Sequence, residues 1–127
     1  MNSISTINNM PYLIVFRLLF AMLRPVKRKY NLTVNHILVI NSCYLYSKLT
    51  SETFYITDIL KFNSYFNNVL MNRYFKDLNF SGFLLSIQTG KNKTKYKLTA
   101  KGIEVIESID QYYNSELYSF YNKYNIQ

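Results

Sequence analysis

Residues 64–98, SYFNNVLMNRYFKDLNFSGFLLSIQTGKNKTKYKL, decide the fold. From Ser64 to Asn79 the side chains sort by helical steps of three and four. Asn67, Leu70, Met71, Tyr74, Phe75 and Leu78 share one face, and Asn68, Val69, Asn72, Arg73 and Lys76 share another. The first face predicts burial; the second is largely polar and carries no acid. Past Gly82 the period changes to two. Phe83–Gln88 predicts a strand, Thr89–Lys93 a turn containing Gly and Asn, and Thr94–Leu98 a returning strand. Lys91, Lys93, Lys95 and Lys97 stand at every second residue. An extended chain sends all four to one side, opposite Tyr96 and Leu98.

Working outward, Thr33 is placed to cap a helix that runs to about Ser47. Val34, Ile37, Leu38, Val39, Ile40, Cys43, Tyr44 and Leu45 make it apolar on nearly every side, so it belongs at the centre of the fold. KLTSET (48–53) is a polar turn, Phe54–Ile56 a short strand, and Thr57 or Asp58 to Lys61 a brief helix. Thr99 caps a last helix with a stripe of Ile103, Ile106, Ile109, Tyr113, Leu117, Phe120 and Tyr124, longer than a core of this size requires. At the other end, residues 1–9 are polar. Pro11 suits a first helical turn, and Tyr12–Tyr30 reads as a helix kinked at Pro25 and broken at Asn31–Thr33. The fold class is therefore mainly α with a small β-hairpin wing: a winged helix-turn-helix. One domain is expected over 1–127, with a core at 31–99 between terminal helices at 10–30 and 100–125.

The net charge of +8 is unevenly spread. Residues 1–101 hold 14 Lys or Arg against Glu52, Asp58 and Asp77, whereas 102–127 hold Lys123 against Glu104, Glu107, Asp110 and Glu116. A body at +11 and a tail at −3 attract polyanions to the body. A single cysteine, Cys43, forbids an internal disulfide and suits a reducing compartment, so a cytoplasmic protein is expected. The apolar run Tyr12–Leu23 contains Arg17 and lacks a basic region before it, so no signal peptide is expected. Arg24, Lys27, Arg28 and Lys29 behind it would suit the flank of a membrane anchor, but twelve residues are too few to span a bilayer and no membrane partner is expected. Catalysis finds no support. His36 is the only histidine, Glu104, Glu107 and Asp110 look like the wet side of a helix, and no nucleophile with its base, phosphate-binding glycine motif or metal cluster can be assembled. Neither cofactor nor metal is expected. Cys43, among apolar neighbours, reads as a buried and inert thiol.

In a winged helix-turn-helix the second helix enters the major groove of duplex DNA and the hairpin lies along the backbone or minor groove. Asn pairs with adenine, Arg with guanine, and Lys neutralises phosphate. Asn68, Asn72 and Arg73 are accordingly the candidates for base contact. Tyr65 and Asn67 lie at the helix start nearer the backbone, and Lys76, Lys91, Lys93, Lys95 and Lys97 are the phosphate contacts. A surface adaptor, using an apolar N-terminal helix and basic patches on membrane or protein, is the competing reading. A winged-helix interaction module without DNA binding is a third.

From Tyr30 to about Ile109 the chain resembles the MarR superfamily of winged-helix regulators, including its SarA-like branch. YNLTVNHILVI (30–40) resembles the Leu-Thr start of that family's second helix. LNFSGFL (78–84) resembles the exit from its recognition helix, and KLTAKGIEVI (97–106) the Leu-Thr-x-x-Gly motif after its wing. The resemblance implies a homodimer interlocked through the first and last helices, a transcriptional regulator acting on double-stranded DNA, and a small-molecule effector of unknown identity. One departure stands out. Where the family's wing carries Asp-x-Arg or Asp-Arg-Arg, this chain has Gly90-Lys91-Asn92, so the acidic brace is missing and only Lys91 matches a basic position. Arg suits a narrow minor groove better than Lys, so phosphate contact is favoured for this wing.

Overall fold

In the computed structural model the described residues are 21, 23–63, 65–90 and 93–124. They contain helix α1 (residues 23–30), α2 (Val34–Leu49), α3 (Ile56–Phe62), α4 (Asn68–Phe80), strands β1 (Leu84–Gly90) and β2 (Lys93–Leu98), and α5 (Ala100–Tyr124). The architecture is mainly α with one antiparallel hairpin, as the sequence predicts. Residues 12–20 of the expected first helix lie outside the described residues. Its end is helical through Pro25 and stops at Asn31, whose φ of 54° is a left-handed conformation that Asn tolerates. Two compact units are present. Among the described residues, one comprises those within 32–106 and the other is formed by 21 and 23–31 with 107–124. In the latter, Tyr30 Oη and Ser108 Oγ lie 2.9 Å apart, in hydrogen-bond contact.

The larger unit is built around α2. Thr33 Oγ1 accepts from His36 N at 3.3 Å and caps the helix, and Ile37, Val39, Ile40 and Cys43 are buried along it. Around it pack α3, α4 and β2. The short strand expected at Phe54–Ile56 reduces to one residue. Phe54 pairs with Tyr96 through Phe54 N to Tyr96 O at 3.0 Å and Tyr96 N to Phe54 O at 2.8 Å. Pairing stops there because the Asp58 carboxylate accepts from Tyr55 N at 2.8 Å and turns the chain into α3 at Ile56, a residue or two before the expected start.

Helix α4 begins at Asn68 rather than Ser64. Asn63 Oδ1 accepts from Tyr65 N at 3.2 Å and holds a bend, and Asn67, extended at φ −76° and ψ 172°, caps the helix by accepting from Leu70 N at 2.8 Å. Asn67 is thus exposed at the helix start and not on the core face, which is carried by Met71, Phe75 and Leu78. The helix ends at Phe80, and the chain turns at Gly82, with φ of 85°, where Phe83 N donates to Leu78 O at 2.9 Å. Strand β1 begins one residue and ends two residues later than expected, whereas β2 begins one residue earlier, at Lys93, and ends at Leu98 as expected. Leu84 pairs with Leu98 and Ser86 with Tyr96, and a bulge at Gln88–Gly90 shifts the register before Lys93.

At the foot of the hairpin four backbone segments meet. Thr99 N donates to Phe83 O at 3.2 Å, Thr99 Oγ1 donates to Gly82 O at 2.6 Å, and the same oxygen accepts from Gly102 N at 3.1 Å to cap α5. Lys101 Nζ donates to Ser81 O at 2.8 Å and lies 4.4 Å from the Phe83 ring centroid. Gly102 lies against the Phe83 carbonyl so closely that an added Cβ would collide with that oxygen and with Leu98 Cδ2. This approach rotates the start of α5. Gly102, Val105 and Ser108 are buried, while Ile103, expected at the head of the apolar stripe, is 38% exposed. Ile106, Ile109, Tyr113, Leu117 and Phe120 are half-buried.

In an ordinary helix Gly→Ala stabilises by about 1 kcal/mol. Gly102→Ala is expected to do the reverse, costing about 2 kcal/mol through overpacking against backbone, read as a lower urea midpoint at unchanged slope.

Candidate nucleic-acid interface

Helix α4 is held from behind by α2. Asn35 Nδ2 donates to Tyr74 Oη at 2.8 Å, and His36 Nε2 lies 2.9 Å from Asp77 Oδ2 while its Nδ1 lies 2.6 Å from Thr33 Oγ1. The His36 ring also stands edge-on to Tyr74, centroids 5.1 Å apart at 75°. The only histidine of the chain thus braces α4 against the cap of α2, a pairing across 41 positions that no local pattern reveals. At the C-terminal end, Asn79 Oδ1 accepts from Ser86 N at 3.2 Å and fixes α4 to β1.

A run of edge-to-face aromatic pairs crosses the unit beneath this helix. Phe62 of α3 meets Tyr46 of α2 at 5.7 Å, Tyr46 meets Phe54 at 5.9 Å, Phe54 meets Phe75 of α4 at 6.2 Å, and Phe75 meets Tyr96 of β2 at 5.0 Å. Each contact is worth about 1 kcal/mol beyond area burial. These five aromatic side chains fix helix and wing to one core.

The outer face of α4 carries Asn68, Val69, Asn72, Arg73 and Lys76, all exposed. Asn72 Nδ2 donates to Asn68 O at 2.7 Å and to Asn68 Oδ1 at 2.9 Å. Arg73 and Lys76 have no ion-pair or hydrogen-bond partner among the described residues, so their charges are available. Tyr65 is 73% exposed in the turn before the helix, next to the capping Asn67.

Between the start of α3, the outer face of α4 and β2 lies a groove of about 520 Å³, lined by Tyr55, Ile56, Thr57, Asn72, Lys93, Thr94 and Tyr96. It brings a helix candidate, Asn72, together with a wing candidate, Lys93. The other wing lysines fare differently. Lys95 is half-buried with Nζ 5.3 Å from the Tyr55 ring centroid, and Lys97 lines a separate hollow of about 300 Å³ with Lys48, Glu52 and Ile103. Lys91 lies outside the described residues. Lysines 93, 95 and 97 keep their alternation with Thr94, Tyr96 and Leu98. Tyr55 and Thr57, absent from the sequence-derived site, reach it only because the Asp58 carboxylate turns the chain there; the single signal was Asp58 at the head of a short helix.

Cys43 is fully buried, and burial pushes its thiol well above the usual range, into the neutral form. Among the described residues no cluster of three or more His, Cys, Asp or Glu could hold a metal ion, and no helix is long and apolar enough to cross a membrane.

No family model and no curated protein sequence matches this chain. Solved structures do. A transcriptional regulator of Thermotoga maritima superposes with a TM-score of 0.70 at 14% identity, over 94% of this chain and 80% of that one. A mutant of MarR from E. coli, solved in complex with operator DNA, gives 0.63 at 19% identity over 99% and 86%. NadR in complex with 4-hydroxyphenylacetate gives 0.59 at 16% over 90% and 78%. At these identities the likeness shows the fold: the chain is folded as the MarR-type winged-helix regulators are.

Two outcomes follow from the packing. His36→Ala, which removes both links of the imidazole, is expected to lower stability by about 1 kcal/mol, measured by urea unfolding. Cys43 is expected to stay unreacted with Ellman's reagent at neutral pH in the native protein and to react fully in 6 M guanidinium, a strong-denaturant condition of roughly the level that unfolds most domains.

Proposed function

We propose that this chain, with its MarR-type winged-helix fold, is a homodimeric transcriptional regulator that binds double-stranded DNA in a sequence-specific manner. One observation carries the reading above all. The single helix face offered outward from the core by α4 is acid-free, bears Asn68, Asn72, Arg73 and Lys76, and opens into a groove shared with Lys93 of the hairpin. A hydrogen-bonding face flanked by unpaired cations is the chemistry that duplex DNA selects.

In this reading α4 lies in the major groove. Asn68, Asn72 and Arg73 meet base edges, and Tyr65, Asn67 and Lys76 meet the backbone beside them. The wing lysines Lys91, Lys93, Lys95 and Lys97 meet phosphates, Lys93 most directly because it lines the groove that Asn72 also lines. A backbone strand seated between helix and wing would be gripped from two sides. The half-buried stripe of α5, with the apolar N-terminal segment, supplies the dimer contact, so that two recognition helices read successive major grooves about 34 Å apart. The work of such a protein is done in the cytoplasm, with repression or activation following from where the operator lies. A small-molecule effector belongs to the same proposal, by analogy with the ligand-bound NadR structure.

Fluorescence anisotropy with a fluorescent 30-bp duplex, about three helical turns, across a salt series tests this. The wild type is expected to bind with a steep log-log salt slope that Lys93→Gln reduces by about one. Lys97→Gln, set in the other hollow, is expected to reduce it less. Asn72→Ala/Arg73→Ala is expected to erase the preference for a selected sequence over random DNA while leaving the slope. Absence of duplex binding even at low salt would overturn the proposal.

A further inference from the structure

Resting on the DNA-binding reading above, we infer that the first turn of α4 reads A·T base pairs, through a donor and an acceptor divided between Asn68 and Asn72 and an apolar contact from Val69. A single asparagine reads adenine by offering its own amide donor and acceptor together. Asn72 is not free to do so. Its Nδ2 lies 2.7 Å from Asn68 O and 2.9 Å from Asn68 Oδ1. A backbone carbonyl only accepts, so the atom facing it is the nitrogen, and the orientation of the Asn72 amide is set without ambiguity. What Asn72 offers outward is Oδ1.

The same bond settles Asn68. Its Oδ1 is taken as an acceptor, which leaves Nδ2 as the group it presents. Both residues are exposed, and four positions apart they are neighbours on one helix face. The pair therefore shows an acceptor and a donor hydrogen-bonded to each other in the free chain. An outward acceptor selects an exocyclic amine, that of adenine or cytosine, and rejects the oxygens of guanine and thymine. An outward donor meets a groove acceptor, which on adenine is N7.

Val69 separates the two remaining choices. It is 77% exposed, with Asn72 and Arg73 as its neighbours at three and four positions on. A β-branched residue gains nothing for a helix when it packs against nothing. Against DNA its isopropyl group fits the thymine 5-methyl, which a G·C pair lacks. Donor, acceptor and methyl contact together describe an A·T pair or two adjacent ones, with guanine left to Arg73 further along the helix.

The experiment uses the full chain. Selection from a pool of randomised duplexes is followed by anisotropy on the enriched duplex, with uracil placed for thymine or 7-deaza-adenine for adenine, one position at a time. A·T pairs are expected at the enriched positions under the first turn. Loss of the decisive methyl is expected to weaken wild-type binding about fourfold, the worth of one buried methyl group, and to leave Val69→Ala unaffected. Loss of the N7 acceptor is expected to weaken wild type on the order of tenfold and to leave Asn68→Ala unaffected. Enrichment of G·C at those positions, or wild-type binding indifferent to both analogues, overturns the inference while DNA binding itself stands. Failure to enrich any duplex removes the DNA-binding reading and this inference with it.

Discussion

The contact on which the larger unit depends is the approach of the α5 backbone to the Phe83 carbonyl at Gly102. Thr99 bonds to Gly82 and Phe83 from one side and caps α5 from the other, so the end of α4, the start of β1, the end of β2 and the start of α5 share one knot of hydrogen bonds. A side chain at 102 would open it. Buried backbone polar groups need partners, and here each segment supplies the partners its neighbour lacks. Helix α4 and the hairpin are thereby fixed to one another at the point where both end.

From that knot the aromatic pairs carry rigidity outward. Phe75 meets Tyr96 and Phe54, Phe54 meets Tyr46, and Tyr46 meets Phe62, so α4 cannot rotate about its axis without disturbing the wing and α3. The brace of His36, Asp77 and Thr33 does the same at the face turned to α2. With its back secured, α4 has a free outer face, on which Asn68 and Asn72 are joined by hydrogen bonds within the helix.

Much of this was legible in residue order. Helical spacing separated the face of Met71, Phe75 and Leu78 from that of Asn68, Asn72 and Arg73, and period two located the hairpin and its lysines. Thr33 and Thr99 announced their helices. What escaped was of two kinds. Asn67 falls in phase with the core face, yet Asn caps helices readily, and the bend held by Asn63 decided between these roles. The remaining surprises are contacts between distant positions: His36 with Asp77, Lys95 over Tyr55, and Asn72 with Lys93 across one groove. The Gly102 motif was recognisable by resemblance, but its physical reason lies in a carbonyl nineteen positions earlier. The bond from Asn72 to Asn68 is local and in principle readable at a spacing of four, although Asn side chains at that spacing have several partners to choose among.

The continuous aromatic path from Phe62 to Tyr96 has a bearing on how information could pass through such a molecule. A helix and a wing that share one core translate and tilt as a single piece. In the proposed dimer, influences acting elsewhere on each chain then alter the distance and angle between the two helix-and-wing pieces, while the chemistry each presents stays constant. Geometry becomes the adjustable quantity, and the alphabet does not.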